Sequence, residues 1–145
     1  MIYTLNKKDF PRMLSEIDSK PDKLYIRGTL PNENTKILCI VGARHHSAYG
    51  EKVCKELIQG LKGYDICIVS GLAIGIDSIA HKAALDNGLK TIAFPGSGLD
   101  TSVMYPLRHR DLAQEIVDKG GALISEFSPL QKAMKWTKLI MFLIV

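Results

Sequence analysis

The sequence lacks most of the features that declare a function outright. Three cysteines, Cys39, Cys54 and Cys67, stand among 145 residues with no CxxC pair and no His pair nearby. That spacing argues against a disulfide scaffold or a zinc site, and apolar neighbours mark Cys39 and Cys67 as small core residues. The N-terminus, MIYTLNKKDF, has no apolar stretch of the signal-peptide kind. The longest apolar run, which closes the chain, is far shorter than the roughly 20 residues that span a bilayer, so a cytoplasmic protein without a membrane partner is expected. Charge of neither sign dominates, with 19 Lys and Arg against 15 Asp and Glu for a formal net charge of +4. No Gly-Lys-Ser/Thr closes a Walker loop and no GxGxxG follows the first apolar strand, which leaves a simple ATP or NAD site unsupported and no cofactor expected.

What is present is an ordinary globular composition, 46% apolar and 23% charged, against disorder, collagen or coiled coil. A chain of this length buries roughly 70% of its unfolded surface, enough for one core. Residues 8–18 place Phe10, Leu14 and Ile17 at near-helical spacing, and a short strand follows over 24–30 between Pro21 and Pro31. From residue 37 a regular alternation begins. Apolar strands are expected at 37–41, 66–69, 91–94 and 122–125. Helices are expected at 47–61, 76–86 and 107–119, closed by Gly or Asn-Gly. In the first of these helices Ser47 caps the start and Val53, Leu57, Ile58 and Leu61 form the inner stripe.

Strands apolar throughout, alternating with helices, predict an α/β fold: a Rossmann-like, doubly wound, mainly parallel sheet covered on both faces. Three strand-to-helix loops then open at the carboxyl ends of the strands, where such sheets bind ligands. They read GARHHS at 42–47, SGLAIGID at 70–77 and PGSGLD at 95–100. Glycine lets backbone approach a ligand, helix N-termini offer N–H groups to an anion, and Arg44 adds a guanidinium. Three such loops on one edge point to a phosphate-containing ligand.

No catalytic set assembles from these residues. Asp77 and His81 lie one helical turn apart, too few ligands for a metal and with no nucleophile beside them; the plainer reading has Asp77 bracing its loop and His81 bonding to it. Ser70 and Ser97 lack a GxSxG context. Asp100 is expected to hold its loop through backbone N–H bonds, and His45 and His46 to face solvent.

The loops carry a resemblance. VGAR at 41–44 with Ser47, Tyr49 and Gly50, SGLAIGID at 70–77 with Ala80-His81 and Ala84-Leu85, GSGLD at 96–100 with Tyr105-Pro106, and Ser125-Glu126-Phe127 resemble ordered blocks of the DprA/Smf family of DNA-processing proteins, with a lead-in at Leu24, Tyr25, Gly28 and Leu30. The resemblance implies a single-stranded DNA-binding protein of natural transformation and recombination. Such a protein protects incoming strands, helps load the RecA recombinase and works as a homodimer. It places Gly42, Arg44 and Ser47 on a DNA phosphate, Gly71, Gly96 and Gly98 in the pocket floor, and Asp77, His81 and Asp100 as braces. Such binding rests on phosphate charge and base stacking. Arg108, His109 and Arg110 are the local reserve of positive charge.

The resemblance divides the chain into a lead-in at 1–36, a Rossmann-like core at 37–128 and a divergent apolar tail at 129–145. Beyond Phe127 the family continues into an Arg-Asn-Arg block that the tail does not match; the tail reads as a truncation or a frame change near Thr137, with a non-functional fragment as the alternative. Nucleotide phosphoribohydrolases have a similar fold but carry PGGxGTxxE, and PGSGLD at 95–100 lacks its second glycine and its Glu.

Overall fold

The computed structural model describes residues 1–11 and 20–133. Strands β1 (Ile2–Asn6), β2 (Lys23–Gly28) and β3 (Lys36–Cys39) lead into α1 (Ala48–Gln59). There follow β4 (Ile66–Ser70), α2 (Ile76–Asp86), β5 (Lys90–Ala93), α3 (Arg110–Asp118) and β6 (Ala122–Ser125). Short 3-10 turns stand at Lys7–Asp9 and Leu107–His109. All six strands form one sheet in the order β1-β2-β6-β5-β4-β3. β3, β4, β5 and β6 run parallel, while β1 and β2 are antiparallel additions beside β6.

The winding explains where the helices lie. Each crossover from β3 to β6 steps one strand in the same direction, and right-handed crossovers that step the same way deposit their helices on the same face. Accordingly Ile68 packs with Cys54 and Ile58 of α1 and Ala80, Ala83 and Ala84 of α2. Ala93 and Leu123, on that same face by register, pack with Ala113 and Ile116 of α3. The opposite face, with Leu24, Ile26, Val69, Ile92 and Ile124, meets Phe10 and Leu30. The fold is thus α/β with a mostly parallel sheet, and among the described residues its helices cover one face where two were expected.

Three local expectations change. The apolar run at 37–41 predicted a fully covered strand, but β3 is the sheet's edge and Leu38 is 40% exposed. The expected inner stripe of α1 is narrowed as well: Cys54 and Ile58 are buried against Ile68 and α2, while Leu57 is exposed. β1 was not anticipated, since an edge strand with only Ile2 and Leu5 partly buried shows no apolar run. Of the helix predicted over 8–18, the described part is the turn Lys7–Asp9 followed by a buried Phe10 with extended backbone; Leu14 and Ile17, like residues 134–145 of the apolar tail, lie outside the described residues.

Candidate functional site

The carboxyl ends of the parallel strands bring the three glycine-bearing loops side by side. Asp77, in the first turn of α2, sews the first two together. One carboxylate oxygen accepts from the Gly42 amide at 3.3 Å and the other from the Gly71 amide at 3.1 Å. Burial pushes the Asp77 carboxyl up, opposed by these bonds and by one from the Ala73 amide. The expected brace is therefore present, and it has a consequence. The Gly42 amide, expected on a phosphate, is committed to Asp77, as is that of Gly71.

Backbone contact completes the join. Ile76 donates its amide to the Ala43 carbonyl at 3.2 Å. Gly75 adopts φ +95°, and a Cβ there would stand 2.2 Å from the Ala43 oxygen and 2.6 Å from that of Arg44. Only glycine combines that conformation with that approach. Gly42 is bare for a related reason, since a Cβ would strike the Ile76 side chain at 2.7 Å. Leu72, fully buried, takes the left-handed φ of +61°, a conformation rare for a branched residue and held by its surroundings.

The third loop is tied in from both sides. His109 Nδ1 donates to the Leu72 carbonyl at 2.8 Å. Asp100 accepts from the Ser102 amide at 2.9 Å and its hydroxyl at 2.5 Å, and these bonds hold its carboxyl below the usual range. Ser97, fully buried, accepts from the Tyr105 amide at 3.2 Å, while its carbonyl accepts from the Ser125 hydroxyl at 2.8 Å. Gly98 is pressed against the chain that follows β6: its amide donates to the Gln131 carbonyl at 2.8 Å, and a Cβ would stand 2.3 Å from the Pro129 and Ser128 oxygens. Gly96 beside it is only partly exposed.

His81 does not bond to Asp77 as expected. Its Nδ1 lies 2.7 Å from the Thr91 hydroxyl, which itself donates to the Ile68 carbonyl at 2.8 Å. That network assigns the proton to Nδ1. Complete burial holds the imidazole down to about 3, so it is neutral and braces α2 on β5. The hydroxyls of Ser70 and Ser97 are buried too, and Ser70 donates to the Ile40 carbonyl at 2.6 Å.

The outward-facing groups are fewer. Arg44 is exposed, and no hydrogen bond or ion pair holds its guanidinium among the described residues. Ser47 caps α1 by accepting from the Gly50 amide at 3.1 Å, which leaves its hydroxyl proton to donate. His45 and His46 are exposed, His46 lying 3.2 Å from Glu51. Of the expected basic triplet only Arg108 is fully exposed, because His109 serves Leu72 and Arg110 donates to the Ser102 carbonyl at 2.9 Å. The parts that sequence reasoning missed are the Leu72 conformation, the His109 tie and the docking of 128–131 on Gly98. Among the described residues no three His, Cys, Asp or Glu could hold a metal, and no helix is long and apolar enough to cross a membrane.

The comparisons with known proteins agree with this architecture. The family model described as DNA recombination-mediator protein A matches residues 1–139. Protein Smf of Escherichia coli is 42% identical over 117 residues, covering 81% of this chain and 30% of that protein. DNA processing protein DprA of Streptococcus pneumoniae is 41% identical over 127 residues, covering 88% and 44%; its X-ray structure superposes with a TM-score of 0.78 over 92% of this chain and 47% of that one. A Helicobacter pylori DprA structure, described for its single-stranded DNA binding mode, is 27% identical with a TM-score of 0.77, covering 93% and 60%. The chain thus spans less than half the length of these Escherichia coli and Streptococcus pneumoniae relatives.

Proposed function

The chain belongs to the DprA/Smf family of DNA recombination-mediator proteins, and from that premise we propose that it binds single-stranded DNA along the carboxyl edge of its parallel strands. One observation carries the reading. The carboxylates of Asp77 and Asp100 and the buried hydroxyls of the site are consumed in holding three loops together, and the Arg44 guanidinium stands exposed at that edge with no hydrogen-bond or ion-pair partner among the described residues. A guanidinium so placed takes a phosphate in bidentate fashion. The Ser47 hydroxyl lies three residues further along the same loop and Arg108 supplies a second exposed cation. Gly42, Gly71, Gly96 and Gly98 act as the thin walls that let the loops pack into one surface.

The wider role in transformation and recombination, with RecA as recombinase partner and a homodimer as the working form in the cytoplasm, follows from the family and is part of the same proposal. A doubly wound sheet belongs to it as well. In such a fold the second direction of winding starts from the open edge of β3.

Fluorescence anisotropy of labelled oligo-dT tests the core of it. Binding is expected to weaken as salt rises, since neutralised phosphates release counterions, and to fall about tenfold or more in Arg44→Ala. A folded chain that binds no single strand at low salt overturns the proposal.

A further inference from the structure

Phosphate contacts leave the bases of a single strand unaccounted for, and the same edge carries two aromatic rings with no structural duty. Tyr49, the second residue of α1, is 76% exposed, and Tyr105, in the loop after β5, is 54% exposed. We infer that Tyr49 and Tyr105 are platforms on which unpaired nucleobases stack, one beside the Arg44 loop and one on the loop that Ser97 anchors. The inference rests on the single-strand reading above.

Both rings sit on backbone that is already fixed. Tyr49 follows the Ser47 cap, whose oxygen holds the Gly50 amide at 3.1 Å. The Tyr105 amide is held at 3.2 Å by Ser97, a fully buried residue whose carbonyl is itself bonded to Ser125. A ring presented on rigid backbone binds without the entropy loss of ordering a loop. Tyrosine suits the task, with an apolar face for the base and a phenol that remains in water. Stacking also tolerates any base, as sequence-independent binding requires. Tyr25 serves as the contrast: its ring is partly buried and has the Lys23 ammonium 5.5 Å from its centroid.

The fold supplies its own control. Tyr64 is 67% exposed but precedes β4, at the opposite end of the strands. The experiment measures anisotropy of labelled oligo-dT, and of an abasic strand of equal length, against the full chain and its Tyr49→Ala, Tyr105→Ala, Tyr64→Ala and Tyr→Phe variants. Each of Tyr49→Ala and Tyr105→Ala is expected to weaken oligo-dT binding about tenfold. Tyr64→Ala should stay within about twofold of the unaltered chain, and both Phe variants should retain binding because the ring is kept. On the abasic strand the Ala variants should match the unaltered chain. If Tyr49→Ala and Tyr105→Ala bind oligo-dT normally while binding still needs Arg44, stacking is overturned and the single-strand reading stands. If the unaltered chain binds neither strand, both fall together.

Discussion

The glycines that close the helices and the glycines of the three loops stand at opposite ends of the parallel strands and are used in opposite ways. At the amino end, Gly63, Gly88 and Gly120 follow the three helices with φ of +89°, +72° and +81°, and a Cβ at any of them would meet nothing within 4 Å. These glycines reverse the chain and touch nobody. At the carboxyl end, Gly42, Gly75 and Gly98 are walled in by neighbouring chain, with closest approaches of 2.7, 2.2 and 2.3 Å. Hydrogen bonding divides the same way. The amino end shows Thr35 donating to Asp65 at 3.0 Å, whereas the carboxyl end is laced by Asp77, Asp100, Ser97, Ser125 and His109. Glycine thus marks open helix ends at 63, 88 and 120 and closely packed loops at 42, 75 and 98; close approach also occurs beside the start of β6, where a Cβ on Gly28 or Gly121 would stand 2.3 or 2.2 Å from a backbone oxygen.

The sharpest way to break this contrast is to add one methyl at each end. Gly75→Ala combines a disfavoured φ with collision against the Ala43 and Arg44 carbonyls, and is expected to cost about 4 kcal/mol in urea unfolding. Gly88→Ala meets open space and pays only for its backbone conformation, about 1 kcal/mol. Equal losses at the two positions would remove the distinction.

A smaller effect separates the carboxylates. Asp77→Asn keeps one acceptor but turns an amide group toward a buried N–H, at Gly42 or at Gly71, for an expected cost of about 2 kcal/mol. Asp65 is exposed, and Asp65→Asn keeps a carbonyl oxygen for the buried Thr35 hydroxyl, so it should cost less than about 1 kcal/mol. Thermal melts of the two variants side by side decide it; a larger loss at Asp65 would mean that the amino end is the better braced.

Acid probes the middle of the sheet, where His81 joins α2 to β5. The folded imidazole is held down to about 3 from an ordinary value of 6.5, so the unfolded chain binds the extra proton. Stability is therefore full above about pH 6.5 and falls as pH drops towards 3, by at most about 1.4 kcal/mol per pH unit from this group. His81→Asn retains a donor in the Nδ1 position and should flatten the curve between those limits. An unchanged slope in that variant would assign the acid loss to other groups.

Much of this molecule could be read from its amino acids in order. The helix at 76–86 came out to the residue, because Ile76, Ala80, Ala83 and Ala84 repeat at helical spacing and Asn87-Gly88 stops them. The Ser47 cap, the apolar strands and the three loops were legible for the same reason, as was the family, whose blocks are contiguous. Leu57 misled because a stripe of apolar residues says that a helix is amphipathic without saying how much sheet lies beneath it. His81 misled because the i, i+4 spacing to Asp77 is only one of the contacts available to a buried ring, and its Nδ1 meets Thr91 of β5 instead.

By itself, then, the sequence determined the elements, their caps and the loops that bear function, since each is encoded within a few consecutive residues whose periodicity or turn chemistry is local. Tertiary structure alone decided that α1 to α3 share one face, that β3 is an edge, and that the Gly42 and Gly71 amides belong to Asp77 rather than to a ligand. Those facts depend on strand order and on contacts spanning six to thirty-five residues. Such contacts form only once the crossovers have chosen their direction.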